Sequence, residues 1–239
     1  MTNEKKELKV AVMQPYFFPY LGYWQMFNAV DKFVLLDDVN FIMRGYINRN
    51  SILVNGQPHK FSIPLEKPSQ NKLINETKLN FTEKDRENFI KTIQLAYKKA
   101  PYYADFYPVL EDIIKNPETD LTKFLKYSFE KVKEYLGLDT EILVSSELEK
   151  DNSLKAQDRI IEINKVLNSD VYINAIGGQA LYNRDDFDRV GIKLYFIKMN
   201  PCEYKQYKND FCPNLSMIDV LMFNPKEEIT KFLNNYELI

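Results

Sequence analysis

Asp37-Asp38 is the acid pair in this chain with the clearest capacity for chemistry. It follows the apolar run Lys32 to Leu36, and two carboxylates at the end of a buried strand are costly unless they meet a cation, a metal or hydrogen-bond donors. The two-residue period of a strand sends one of them into a cleft and the other away from it. Donors follow closely in Arg44, Asn48, Arg49 and Asn50. Two readings stay open. Either Arg44 or Arg49 pairs with an aspartate and fastens a loop, or the cluster is a polar catalytic floor. In the second case Asp37 or Asp38 takes a proton from an attacking amine, or holds Mg²⁺ for a nucleotide substrate, with Arg44 beside it.

Three further segments carry candidate binding residues. Gln14 to Tyr23 packs two prolines, Gly22 and five aromatics, among them Tyr16, Phe17 and Tyr23, into what should be a polar loop. Pro15 and Pro19 fix φ and stiffen it, which suits a wall for a base or a sugar ring; the plainer alternative is that its aromatics cap the core. Gly22, ahead of helix-like sequence, also offers free backbone N–H groups to an anion. Lys155 and Arg159, with Gln157 between them, fall in the first turn of a helix, where they form a phosphate or carboxylate clamp or a merely solvated face. Asn174 to Tyr182 places Gly177 and Gly178 directly after a strand in a chain with only seven glycines, which lets backbone approach a ligand, although neither the dinucleotide nor the Walker pattern is matched. Gln206 adds a polar group after the next strand.

Composition narrows the chemistry. With one histidine, His59, placed in a hairpin context, Ser-His-Asp triads, Cys-His dyads and multi-imidazole zinc sites are mostly excluded. A net charge of −2, from 32 basic and 34 acidic residues, lacks the basic footprint of a nucleic-acid binder. No stretch reaches the roughly 20 apolar residues of a membrane helix, and the charged start Met1 to Glu7 is unlike a secretory signal. Cys202 and Cys212, outside any Cys-x-x-Cys spacing, read as reduced thiols, so the expected location is cytoplasmic. The sequence admits a homo-oligomer without requiring one.

These residues need a scaffold. Lys9 to Met13 and Lys32 to Leu36, separated by one helix of sequence, predict a βαβ unit whose carboxyl strand ends carry Gln14 and Asp37-Asp38, the edge where open α/β sheets bind ligands. Asn55-Gly56 between Ile47–Val54 and Lys60–Leu65 predicts a β-hairpin. Residues 81–138 read as helices, with a capping box at Thr82 and Asp85, punctuation by Pro101, Pro108 and Pro117, and a C-cap at Gly137. Strands at 141–144, 171–176 and 193–198, with helices at 157–167, 216–223 and 226–236, resume the alternation. The expected fold is therefore α/β: an open, doubly wound, mostly parallel sheet with a hairpin and an inserted helical subdomain. Its organisation is an N-terminal half (1–80), a helical insertion (81–138) and a C-terminal half (139–239) completing the same sheet.

The run MQPYFFPYLGYWQMFNAVDKFVLLDDVNFIMRGYINRNSI resembles the N-terminal signature of the WbqC-like family, and YINAIGGQALY and NLSMIDVLMFN resemble its C-terminal signatures. That resemblance implies a place among surface-polysaccharide (O-antigen, lipopolysaccharide) enzymes and modification of an activated sugar. The implied reaction is N-acyl or aminoacyl transfer, forming an amide on a nucleotide-linked deoxyamino sugar, with an acyl or amino-acid donor as partner. Glycosyl transfer from a nucleotide sugar and a non-catalytic scaffold are the alternatives. The spacing Pro15-x-x-x-Pro19-x-x-Gly22-Tyr23 is also similar to the Pro-x-x-Gly-His region of nucleotidylyl-transferase-like folds, which would bring ATP with Mg²⁺ into the reaction, except that Tyr23 stands in the histidine's place.

Overall fold

The computed structural model describes residues 6–208 and 210–239; Met1 to Lys5 of the charged start lie outside them. Strand β1 (Lys9–Met13), helix α1 (Leu21–Asn28) and strand β2 (Lys32–Leu35) form the expected βαβ unit, paired in parallel from Val10↔Lys32 to Met13↔Leu35. A hairpin follows, β3 (Arg49–Val54) and β4 (Gln57–Ser62), then the short pair β5 (Leu65–Glu66) and β6 (Lys78–Leu79). Helices α2 (Glu83–Tyr97), α3 (Tyr103–Lys115) and α4 (Leu121–Leu136) lead to β7 (Glu141–Val144), α5 (Ala156–Val166), β8 (Val171–Ala175), α6 (Arg184–Asp188) and β9 (Lys193–Met199). The chain closes with α7 (Met217–Phe223), α8 (Lys226–Leu233) and β10 (Tyr236–Leu238).

The main sheet runs β10-β9-β8-β1-β2-β7, with β10 antiparallel to β9 and every other pairing parallel. Taken in chain order, these six strands follow the 3-2-1-4-5-6 arrangement of doubly wound sheets, in which the winding reverses between the first and fourth strands, here β1 and β8. That junction is open. The β1–β8 ladder is limited to Lys9↔Val171 and Val10↔Tyr172, whereas β1–β2 and β8–β9 continue to the strand ends. The sheet therefore parts toward its carboxyl edge at the reversal point.

Both faces are covered, which is why the strands read as unbroken apolar runs. Val10, Val12 and Val34 pack with Ile160 and Ile163 of α5, while Ala11, Phe33 and Leu35 face the larger core shared by α1, the hairpin, α2–α4, α7 and α8. The helical stretch is thus inserted in the chain between two neighbouring strands, yet it buries its apolar face in the same core as the first βαβ unit. Thr82 and Asp85 form the capping box, and Gly137 ends α4 in the left-handed region at φ +67°. Pro108 sits inside α3 rather than ending it. Asn55 and Gly56 both have positive φ (50° and 75°), the two-residue turn that pairs Val54 directly with Gln57 and draws His59 into β4. The expected helix at 226–236 stops at Leu233, because the tail completes the free edge of β9 as β10, Tyr236↔Met199 to Leu238↔Ile197. Among the described residues no helix is long and apolar enough to cross a membrane.

Candidate functional site

The two aspartates after β2 diverge as strand geometry requires, but both are occupied. Asp37, 1% exposed, accepts from the Ser146 backbone N–H (3.0 Å) and hydroxyl (2.7 Å), so it ties the end of β2 to the turn after β7. Burial pushes its pKa up, and the Ser146 bonds offset this only in part. Asp38 meets Lys150 Nζ at 2.8 Å, an ion pair whose side chains are 11% and 1% exposed, with Arg159 Nη1 at 3.8 Å. Burial opposes ionisation of Asp38, yet Lys150 and Arg159 hold its pKa below the usual carboxylate value. Its carboxylate oxygens are shielded from solvent and lack aligned hydrogen bonds, so distance rather than geometry makes the Lys150 contact strong. Neither carboxylate is an open proton acceptor, and the pair does not fit a two-carboxylate Mg²⁺ site. Among the described residues no group of three or more His, Cys, Asp or Glu side chains could hold a metal.

Asp38 nevertheless forms part of a cleft of about 590 Å³ with Leu36, Asn40, Leu73, Lys155, Gln157, Arg159, Leu181 and Tyr182. Its walls come from the loop after β2, the start of α5 and the 3-10 turn after β8 (Ile176–Leu181), so the cleft straddles the end of β1 beside the point where the sheet parts. Lys155 caps α5 without a side-chain hydrogen bond to its first turn, leaving backbone N–H groups there for an anion. Arg159 is braced by three carbonyls: Nε to Leu154 O (2.9 Å), Nη1 to Asp38 O (2.7 Å) and Nη2 to Asn152 O (3.2 Å). Gln157 reaches the cleft with its amide already engaged, to Asp186 Oδ2 and from Asn183 N–H. With Lys155 exposed, Arg159 fixed and Asp38 neutralised by Lys150, the free charge offered to a ligand is positive.

The aromatic loop divides. Phe17 (0% exposed) and Phe18 (1%) are core, ringed by Phe61, Phe89, Phe106 and Phe124, so Phe17 contacts no ligand. Tyr23 is buried and its hydroxyl donates to Gln14 O (2.8 Å), which removes it from any phosphate role. Gly22 lies buried in α1, and a Cβ there would sit 2.6 Å from the Tyr20 ring; the glycine makes room for that ring rather than for an anion. Tyr16 and Asn50 do line a second pocket, of about 320 Å³, with Pro19, Tyr20, Tyr46 and Asn214.

The remaining candidates fall outside both pockets. Arg44 is exposed at φ +64° and makes no ion pair with a described residue; Asn48 bonds Ile63 O, and Arg49 bonds Gly45 O. These contacts shape the hairpin entry rather than neutralise the aspartates. Gly177 and Gly178 do not use positive φ; Gly178 instead leaves room for the Asn174 amide, 3.2 Å from where a Cβ would stand. Asn174 is itself buried, bonded to Tyr172 Oη and Ala175 N–H, and Gln14 Oε1 is buried without a partner. Gln206 is buried in a polar network: its amide and the Tyr204 hydroxyl donate to Asp219 Oδ2 (2.6 and 2.7 Å), and Tyr97 donates to Oδ1 (2.7 Å). Burial raises the Asp219 pKa, and these donors replace the missing cation. Lys150, Ser146, Asn40 and Tyr46 went unread in the sequence. Lys150 and Ser146 lie over 100 residues from the aspartates they bind, and no spacing links them.

The chain is 23% identical over 228 residues to an uncharacterised protein, Rv1507c, of Mycobacterium tuberculosis (strain ATCC 25618 / H37Rv), covering 94% of this chain and 97% of that one. No solved structure matches it. The model of the WbqC-like protein family matches residues 14–231, from the loop after β1 through the cleft segments into α8, and this chain belongs to that family.

Proposed function

We propose that the charged cleft binds the phosphates of a nucleotide-linked deoxyamino sugar and that the protein forms an amide on that sugar's amino group, in surface-polysaccharide (O-antigen) biosynthesis. The observation that carries this reading is the convergence of Lys155, Arg159 and the uncapped start of α5 on one cleft over the carboxyl edge of β1. Its volume lies within the ~300–1,000 Å³ typical of small-molecule sites. The amide formation on a nucleotide-linked deoxyamino sugar that the resemblance above implies supports the choice of an amino sugar.

In such a step the amine nitrogen attacks an acyl carbonyl, the N–C bond forms, the donor's leaving group departs and the amine gives up a proton. The protein's contribution here is binding and orientation. Lys155 and the α5 N–H groups hold phosphate, Arg159 adds a fixed cation, and Asp38 positions Arg159 through its carbonyl while Lys150 keeps the aspartate ionised. Where ATP activates the donor, the same cationic wall suits its phosphates, and a nucleotidylyl-transferase-like use of the fold stays within this proposal.

The test is mass spectrometry of a purified dTDP-linked amino sugar incubated with acyl and aminoacyl donors, with and without ATP and Mg²⁺, alongside calorimetric titration of the nucleotide sugar. A mass gain matching amide formation is expected. Absence of both binding and mass gain across donors would overturn the reading. Release of the sugar from its nucleotide, abolished by chelator, would replace it with glycosyl transfer.

A further inference from the structure

The pocket beside the aromatic loop shares no residue with the charged cleft, and its chemistry differs. Tyr16, Pro19, Tyr20, Tyr46, Asn50 and Asn214 line it, and none is charged. We propose that this tyrosine pocket is a separate binding site for a neutral pyranose ring.

The rings decide against a flat ligand. Tyr16 lies 6.1 Å from Tyr46 at a tilt of 49°, so these two rings do not offer a nucleobase a parallel pair of faces. Tilted rings suit a puckered one, whose C–H groups meet the negative faces of the aromatics while its rim stays polar. The polar rim has partners in the phenol groups of Tyr16 and Tyr20, whose ionisation is suppressed by burial first and by neighbouring tyrosines second, and in the exposed Asn214 amide. A neutral phenol both donates and accepts, as vicinal sugar hydroxyls require. An organic cation would find rings but no carboxylate among the lining residues.

The pocket is also built to hold its shape. Asn50 Nδ2 donates to Phe18 O (2.7 Å) and Phe17 O (3.3 Å), Ser216 Oγ donates to Phe18 O (2.9 Å), and Phe17 N–H donates to Tyr46 O (3.2 Å). Tyr46 is 61% exposed and Tyr20 39%, an exposure of aromatic surface that a sugar face would cover. At about 320 Å³ the space sits at the small end of the ~300–1,000 Å³ range, suited to one ring rather than to a whole nucleotide sugar.

Ligand-observed saturation-transfer NMR with methyl glycosides of hexoses, 6-deoxyhexoses and N-acetylamino sugars tests this on the full chain. Transfer to the ring C–H protons of at least one glycoside is expected in the wild type and, undiminished, in Lys155→Ala. Tyr46→Ala should weaken it by about tenfold, the scale of one lost ring contact and its buried area; because that side chain is largely exposed and its backbone oxygen is kept, the fold should survive, checked by an unchanged urea midpoint. No transfer from any glycoside, equal transfer in Tyr46→Ala, or displacement by adenosine or tetramethylammonium at lower concentration than by any sugar would each overturn the proposal. Failure of nucleotide sugars to bind the charged cleft would sink the function proposed above and leave this site standing.

Discussion

Replacing Lys150 with methionine keeps most of the buried stem and removes the charge from a pair whose side chains are 1% and 11% exposed and 2.8 Å apart. Asp38 is then left as a shielded carboxylate with Arg159, at 3.8 Å, as its one cation among the described residues. Breaking one side of a buried ion pair costs about 3–5 kcal/mol, and the remaining Arg159 places this case near 3. At roughly 2.1 cal/mol/K per residue across 239 residues, the unfolding entropy is about 0.5 kcal/mol/K, so ~3 kcal/mol lowers Tm by about 6 °C. The loss should depend on pH. In the wild type the Asp38 pKa is lowered in the fold, so its contribution is present above the unfolded value of about 3.9 and lost as pH falls through the folded value. In Lys150→Met burial dominates and the folded pKa rises above the unfolded one, so the variant loses stability as pH climbs from about 4 through that raised value. The gap between the two proteins is therefore widest near neutrality and closes toward pH 4. Urea unfolding at several pH values, with Asp38→Asn/Lys150→Met recovering part of the loss, measures it. A difference below about 1 kcal/mol at pH 7, or one independent of pH, would refute the account of this pair.

Other outcomes follow from single contacts. Tyr97→Phe strands the Leu53 N–H and takes a donor from buried Asp219, so urea unfolding should show a loss of about 2–3 kcal/mol. Gly137→Ala has open space around its new Cβ but sits at φ +67°, so the cost should be backbone strain alone, about 1 kcal/mol in a thermal melt. Lys155→Ala, an exposed site, should leave the melt unchanged and weaken calorimetric binding of a dTDP-linked sugar by about tenfold at low salt, with the difference narrowing as salt is added.

Much of the fold was legible locally. The capping box at Thr82, the αL stop at Gly137 and the Asn55-Gly56 turn depend on a few adjacent residues, and each is found where short-range chemistry places it. Apolar runs likewise placed β1, β2, β7, β8 and β9 to within a residue or two. β10 escaped because Tyr236 to Leu238 is only three residues long and follows directly on the helical pattern of α8; it pairs because β9 presents a free edge. The site was less legible. Lys155, Gln157, Arg159, Tyr182 and Asp38 do meet in one cleft, drawn there by the strand ends, whereas Phe17, Tyr23, Asn48 and Gln206 have the right residue types and are consumed by packing, by the backbone or, for Gln206, by the buried Asp219.

By itself the sequence determined that this is a mostly parallel α/β chain with a stiff aromatic loop after its first strand and an acid pair after its second, because strand runs, prolines and turn residues act through neighbours in the chain. Only the tertiary structure decided what those features do. Asp38 became a neutralised wall rather than a base because Lys150 arrives from beyond β7. The aromatic loop split into core (Phe17, Phe18) and pocket (Tyr16, Tyr20) because β3 and α7 fix its carbonyls from one side. The free energy of a buried charge or ring depends on which groups surround it in space, and sequence separation does not encode that.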